Sequence, residues 1–299
     1  MTWGRDTDEI DAAEQLRDFV DAGGNLVDTA ASYGGGQSES MIGSLLAGKV
    51  DRRDVLLCTK AGIRTTADGN TVDASRGRCS TRSTPPSNGW APTTSTSSWC
   101  TPGPAHPFDE TLSALRLAVT TGRARYVGLS NHPGGPPRGR RVARRARRRR
   151  ARCRRAGVLA AAAGIEREVV PAAIELGFGV LAWSPLGRGV LTGKYRSSLP
   201  ADSRVRPRTS PGSCSRTSTG VLTHRRGRRD RRERPGACTL DVALAWLLER
   251  PAVSSAIVGA RTPAQLRASL AACDLELPDA VHYALDDVSA LSLGYPERW

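Results

Sequence analysis

Short apolar runs alternate with amphipathic stretches through the legible parts of the chain, and this alternation constrains the fold more than any other feature. Residues 10–22 place Ile10, Ala13, Leu16, Phe19 and Val20 on one helical face, and Gly23-Gly24 ends the helix. Residues 25–28 then read as a short buried strand, 38–46 as a helix and 55–60 as a second strand. A helix at 110–119 precedes a strand at 126–130, and a helix at 165–176 precedes a strand at 179–184. The carboxyl-terminal third adds a helix at 240–248, a strand at 255–258 and a helix at 263–271. Strands joined through helices return to the same end of a sheet, so they pair in parallel and the helices cover the faces. The expectation is an α/β fold, and 299 residues suit one barrel-sized domain spanning 1–299.

Three stretches break the alternation. Residues 78–105, 134–163 and 205–237 show no usable period and consist mostly of Arg, Ser, Thr, Pro, Ala and Gly. Two of them also hold the charge. A formal net charge of +15 points toward nucleic acid or an anionic surface. Yet 138–155 carries twelve arginines and no acid, and 204–234 carries eleven arginines against Asp230 and Glu233. Together they exceed the whole surplus, so the remainder is mildly acidic, as in an ordinary enzyme. Neither run has interleaved aromatics or a recognisable binding module, and no nucleic-acid partner is expected. Seven cysteines form no CxxC pair and no metal-ligand spacing, so no metal is expected either. No apolar stretch is long enough to span a membrane and the first five residues hold no signal core, which makes a reducing cytoplasm the expected setting.

Two readings account for the patternless stretches. One is disordered insertion. The other is a coding frame displaced by one base, so that the middle base of each original codon opens the next written codon. Ser, Cys and Trp codons, which begin with T, then stand where apolar residues belong. Read back on this rule, 78–104 yields an amphipathic helix, a turn and a buried strand. Trp99 has a single codon, so valine is forced at Cys100, and only His or Tyr fits at Thr101. The text from Val205 responds in the same way, and 154–163 does so in the other frame with freer codon choice. Displaced frames explain composition, charge and lost period together.

Chemistry-bearing residues stand at the carboxyl ends of the expected strands: Asp28, Lys60, Ser130-Asn131, Ser184-Pro185 and Gly259. In α/β barrels that face carries the active site. At these positions the chain resembles the aldo-keto reductase family. The resemblance rests on Asn25-Leu26-Val27-Asp28-Thr29-Ala30-Ala31-Ser32-Tyr33-Gly34, Leu57-Cys58-Thr59-Lys60, Val127-Gly128-Leu129-Ser130-Asn131, Ser184-Pro185-Leu186-Gly187-Arg188-Gly189 and Ile257-Val258-Gly259-Ala260-Arg261. These motifs occur in family order and spacing and span about two-thirds of the chain.

The resemblance implies a (β/α)8 barrel that reduces aldehyde or ketone carbonyls of small molecules with hydride from NADPH. It implies a catalytic tetrad of Asp, Tyr, Lys and His, of which Asp28, Tyr33 and Lys60 are present. A phenol is a poor proton donor at neutral pH; an adjacent ammonium favours the phenolate, and a carboxylate keeps the ammonium charged and oriented. Taken alone, Asp28 and Lys60 also fit a structural ion pair. The fourth member is absent, since the strand that should end in His reads Trp99-Cys100-Thr101, and His106, His132, His224 and His282 are expected on the surface. For the cofactor, the resemblance assigns Ser130 and Asn131 to the nicotinamide amide. It assigns Ser184, Leu186, Gly187 and Gly189, with Lys194, to the pyrophosphate, although a plain strand-to-helix turn has the same glycines. After the strand ending at Gly259 it assigns Arg261 and Gln265 to the adenosine 2′-phosphate, which favours NADP over NAD. The family's later Glu-Asn pair is replaced by Arg267-Ala268-Ser269.

Two alternatives remain: a barrel that binds NADP without turnover, and an arginine-rich nucleic-acid binder, the weaker one. The barrel is also expected to be incomplete. Only five of eight strands are legible, those ending at Asp28, Lys60, Ser130, Ser184 and Val258; the first would precede Trp3-Gly4. The histidine strand reads as Ser and Thr over 93–98, and another falls within the arginine segment, expected as loop or as an ill-packed element.

Overall fold

A computed structural model of the chain describes residues 2–66, 69–73, 75–77, 95–100, 108–130, 153–156, 164–195 and 237–290. The amino-terminal half runs α1 (Glu9–Asp21), β1 (Leu26–Asp28), α2 (Gln37–Gly48), β2 (Leu56–Ala61), β3 (Ile63–Thr66), β4 (Gly69–Val72), β5 (Ser95–Cys100), α3 (Phe108–Thr120) and β6 (Ala124–Leu129). The second half runs β7 (Cys153–Ala156), α4 (Val169–Leu176), β8 (Gly179–Trp183), α5 (Thr239–Leu248), β9 (Val253–Ile257), α6 (Pro263–Leu270) and α7 (Asp279–Ser289). Each helix and strand expected from the period is present, with bounds shifted by a few residues.

Capping and burial explain why α1 lies as it does. The Asp8 carboxylate accepts from the Asp11 N–H at 2.8 Å, and the chain leaves through Gly23 at φ +81°. The buried face is rotated from the expected one. Ala12, Ala13, Gln15 and Leu16 are inside, whereas Ile10 is 79% exposed. Gln15 is buried with its side-chain oxygen accepting from the Trp3 indole N–H at 3.0 Å, while its amide nitrogen has no hydrogen-bond partner among the described residues.

The parallel strands form two sheets, ordered β1-β2-β5-β6 and β7-β8-β9, with β3 and β4 as a separate antiparallel hairpin. β6 and β7 lie alongside each other without sharing a ladder. At the opposite seam, β1 and β9 border a cavity of about 300 Å³. A closed barrel is therefore not completed among the described residues, in line with the expectation of an incomplete one.

One expectation is corrected among the described residues. Seven parallel strands are present instead of five, because β5 and β7 form where no period is legible, β7 inside the arginine segment. The ladders give the reason. β5 runs in register from Cys58↔Ser97 to Ala61↔Cys100 on one side and from Ser95↔Ala124 to Cys100↔Leu129 on the other. β7 runs from Cys153↔Gly179 to Ala156↔Ala182. Strand pairing uses the N–H and C=O that every non-proline residue carries, so ordered neighbours can draw in a stretch that lacks apolar alternation.

Two apolar clusters fix the helices to the sheets. Ala12, Leu16, Val27, Ile42, Leu45 and Leu57 pack under α1 and α2, and Val180, Ala182, Val242, Trp246, Leu247 and Leu285 pack under α5 and α7. Cys58 of β2 meets Leu181 of β8, with Leu26 and Ile257 beside them, so the two sheets face each other across a shared interior. Trp246 donates its indole N–H to Asp286 at 2.9 Å while Arg250 lies over its ring and pairs with both Glu166 and Asp286 at 2.7 Å.

Candidate active site

Register carries the motif residues to one end of the first sheet. Asp28 ends β1 opposite Cys58, Lys60 lies opposite Trp99, and Cys100 opposite Leu129, with buried Ser130 directly after. The carboxyl ends of β1, β2, β5 and β6 thus form one edge.

Lys60 is the centre of that edge. Its ammonium donates to Asp28 Oδ1 at 2.9 Å, to Asp28 Oδ2 at 2.8 Å and to the Thr29 carbonyl. Side-chain exposure is 9% for Lys60 and 5% for Asp28, so the pair is largely withdrawn from water. Such a pair loses hydration, and it is stable only because each ammonium proton has an acceptor. Tyr33 sits half-buried beside it, with Lys60 Nζ 4.8 Å from the ring centroid. Three of the expected tetrad positions therefore converge. The ammonium meets the ring face of Tyr33, a cation–π contact that keeps charge and phenol together.

The Tyr33 loop is shaped by its own sequence. The Tyr33 N–H donates to Ala30 at 3.0 Å, and Gly34, Gly35 and Gly36 follow at φ +58°, +66° and +102°. Side chains with a Cβ rarely adopt that conformation, so the three glycines let the chain reverse into α2 within a few residues.

On the second sheet, the loop after β8 makes a run of tight turns. Ser184, Gly187, Arg188, Gly189 and Gly193 all have positive φ, from +54° to +94°. The Gly187 N–H donates to the Ser184 carbonyl and the Gly189 N–H to the Leu186 carbonyl, both at 2.9 Å. These two N–H groups close the turns of the stretch that the resemblance assigns to the pyrophosphate. At Gly189 the constraint is the φ of +94° itself; a Cβ there would also meet the end of the Lys194 side chain, which can move aside. Lys194 itself is exposed, over the Tyr195 ring. After β9 the chain passes Gly259 to Arg261 and enters α6, whose cap is Thr262. The Gln265 side-chain oxygen accepts the Arg261 N–H at 3.0 Å, and Thr7 donates to the Arg261 carbonyl at 3.0 Å. Arg267, where the sequence departs from the family pattern, pairs with Glu14 at 2.9 Å and Asp18 at 2.6 Å and ties α6 to α1.

Several expected positions lie outside the described residues: Asn131, Thr101, His106, His132 and His224. His282 belongs to α7, partly buried against Glu249, rather than to the exposed surface. Four residues near the edge escaped the sequence reading. Thr29 donates to Ser38 at 3.0 Å and Thr59 donates to Glu39 at 2.6 Å. A signal for them existed, because Ser38 and Glu39 precede Ile42 by four and three residues and so fall on the buried face of α2. A carboxylate in phase with an apolar stripe needs a partner.

Comparisons with known proteins agree with this geometry. A family model described as the aldo/keto reductase family matches residues 1–290. The chain is 30% identical over 305 residues to an uncharacterized oxidoreductase, YrpG, of Bacillus subtilis, covering 96% of this chain and 90% of the relative. It is 32% identical over 136 residues to a probable voltage-gated potassium channel subunit beta of Arabidopsis thaliana, covering 45% and 41%. Among solved structures, aldo-keto reductase AKR11C1 of Bacillus halodurans in its holo form superposes with a TM-score of 0.74 at 21% identity, covering 98% of this chain and 92% of that one. Glycerol dehydrogenase AKR11B4 of Gluconobacter oxydans superposes with a TM-score of 0.75 at 23% identity, covering 96% and 88%. These neighbours imply a (β/α)8 barrel fold. With Asp28, Lys60 and the loop residue Tyr33 in contact and a family match over almost its whole length, the chain belongs to the aldo/keto reductase family of oxidoreductases.

Proposed function

We propose that the protein reduces aldehyde or ketone carbonyls of small molecules with NADPH, in the cytoplasm, as a single barrel domain over residues 1–299. The observation that carries this reading is the contact of Asp28, Lys60 and Tyr33 at the sheet edge. NADPH, when bound, supplies the hydride. Tyr33 hands its phenolic proton to the carbonyl oxygen as charge develops there, and the Lys60 ammonium favours the phenolate left behind. Asp28 keeps that ammonium charged and aimed, and burial excludes water that would weaken both interactions.

The chain's other residues suit the cofactor in parts. Ser130 and Asn131 hold the nicotinamide amide. The turns at Ser184, Leu186, Gly187 and Gly189, with Lys194, border the pyrophosphate; the positive φ of Ser184, Gly187 and Gly189 gives this stretch the tight curvature that such a wrap needs. Gly259 lets the backbone pass close to the adenosine end, and Arg261 with Gln265 grips the 2′-phosphate at the start of α6.

The test is NADPH consumption with a small aldehyde by the gene product in its restored frame, expected to be strongly preferred over NADH. Arg261→Ala should weaken NADPH by about 10–100-fold, the value of one charge-assisted pair, and NADH far less. Equal loss for both cofactors would refute the phosphate assignment. A second reading is a barrel that binds NADP without turnover. Thr101 at the histidine position and the partial match to a channel subunit favour it for the chain as written. Cofactor binding with no aldehyde reduction, even in the restored frame, would select it.

A further inference from the structure

We infer that Ser38 and Glu39, in the first turn of α2, are positioning residues that set the Tyr33 loop against Lys60. The inference rests on the reductase reading for its catalytic consequence, but its geometry stands independently. Ten residues, 29–38, leave β1, carry Tyr33 and return to α2. The buried Thr29–Ser38 hydrogen bond, 3.0 Å long, closes the base of this loop. Thr29 is fully buried, its N–H donates to the Cys58 carbonyl at 2.8 Å, and its own carbonyl accepts from the Lys60 ammonium. Ser38 therefore holds a residue that touches Lys60 directly.

Glu39 makes the second tie. It is 6% exposed, and its carboxylate accepts from Thr59, the residue before Lys60 on β2. Successive strand side chains point to opposite faces, so Thr59 faces α2 while Lys60 faces the interior. A carboxylate in the first helical turn is favoured by the helix dipole, which offsets part of its burial cost. One helical turn thus clamps the residue after Asp28 and the residue before Lys60, with Tyr33 suspended between the two clamps. Apolar packing alone would fix the helix to the sheet but not the register of this loop, whose three glycines make it the most deformable part of the corner.

The experiment compares Glu39→Leu, Glu39→Gln and Ser38→Ala in the full chain with its frames restored. It reads amide hydrogen exchange at residues 29–38 and in α5, and kcat and KM for NADPH with a small aldehyde. Glu39→Leu is expected to raise exchange in the loop with α5 unchanged, and to lower kcat about a hundredfold with KM nearly constant, the effect of a ~1 Å misplacement. Ser38→Ala should do the same more weakly, and Glu39→Gln, which keeps an acceptor for Thr59, should restore both readouts. Unchanged loop exchange in Glu39→Leu, an equal rise in α5, or equal damage from Gln and Leu would each overturn the inference. Absence of aldehyde reduction in the parent chain would count against the reductase reading alone, because the exchange pattern still decides the clamps.

Discussion

β2 and β5 are neighbours in one sheet and share a register, yet different things define them. β2 is tied from several directions: Val55 and Leu57 are in the core, Cys58 meets the facing sheet, Thr59 is held by Glu39 and Lys60 by Asp28. β5 reads Ser95-Thr96-Ser97-Ser98-Trp99-Cys100, with no alternation, and it is placed by its two ladders. The contrast teaches that backbone pairing can extend a parallel sheet through unpatterned sequence, whereas a reactive site cannot be extended that way. Proton transfer needs particular side chains at particular strand ends. β2 supplies one in Lys60; the residue after β5 is Thr101, where a histidine is expected.

The largest effect should come from erasing the contrast. If compensating frame errors lie near Gly77, His106, Gly134, Gly164, Val205 and Cys238, a chain with those frames restored should unfold in one sharp thermal transition, and the chain as written should not. Resequencing that confirms every written codon, or a sharp two-state transition in the written chain, would remove this explanation. Next in size is Asp28→Ala, which leaves the buried Lys60 ammonium without its carboxylate. The opening free energy of β1 and β2 amides in native-state hydrogen exchange should fall by about 3–5 kcal/mol. A loss below about 1 kcal/mol would mean that the corner is not held by this pair. Smallest is Arg267→Ala, which removes an exposed link between α1 and α6. There, exchange in α1 and α6 should change little, because solvent screens an exposed pair.

What the sequence revealed follows the same division. Where apolar period survives, as in α1, α3, α5 and β8, the elements were legible to within a few residues. The face of α1 differs from the expected one because periodicity counts Ile10 as core and cannot foresee that Trp3 donates to the side-chain oxygen of a buried Gln15. The β3–β4 hairpin escaped notice although Asp68-Gly69 is a turn signal between its strands. α7 was also missed, despite Val281 and Leu285 four residues apart. β5 and β7 carry no side-chain period as written; only the family resemblance and the displaced-frame reading place strands there. Asp28 and Lys60 are legible because their charges sit at strand ends, which packing alone does not require, and Tyr33 because it completes the family motif that begins at Asn25. For Ser38 and Glu39 the sequence signals only burial, through their spacing to Ile42; which partners they hold becomes defined only when α2 lies against β1 and β2.

The measurement closest to the central claim compares Tyr33→Phe with its parent in the restored frame. It records the first-order rate of NADPH oxidation with saturating aldehyde together with the Kd for NADPH. Loss of a proton donor that acts only as the carbonyl is reduced should lower that rate by at least about 10²–10⁴-fold, with Kd changed by less than about threefold. An undiminished rate in Tyr33→Phe would contradict the assignment of this corner as the site of reduction.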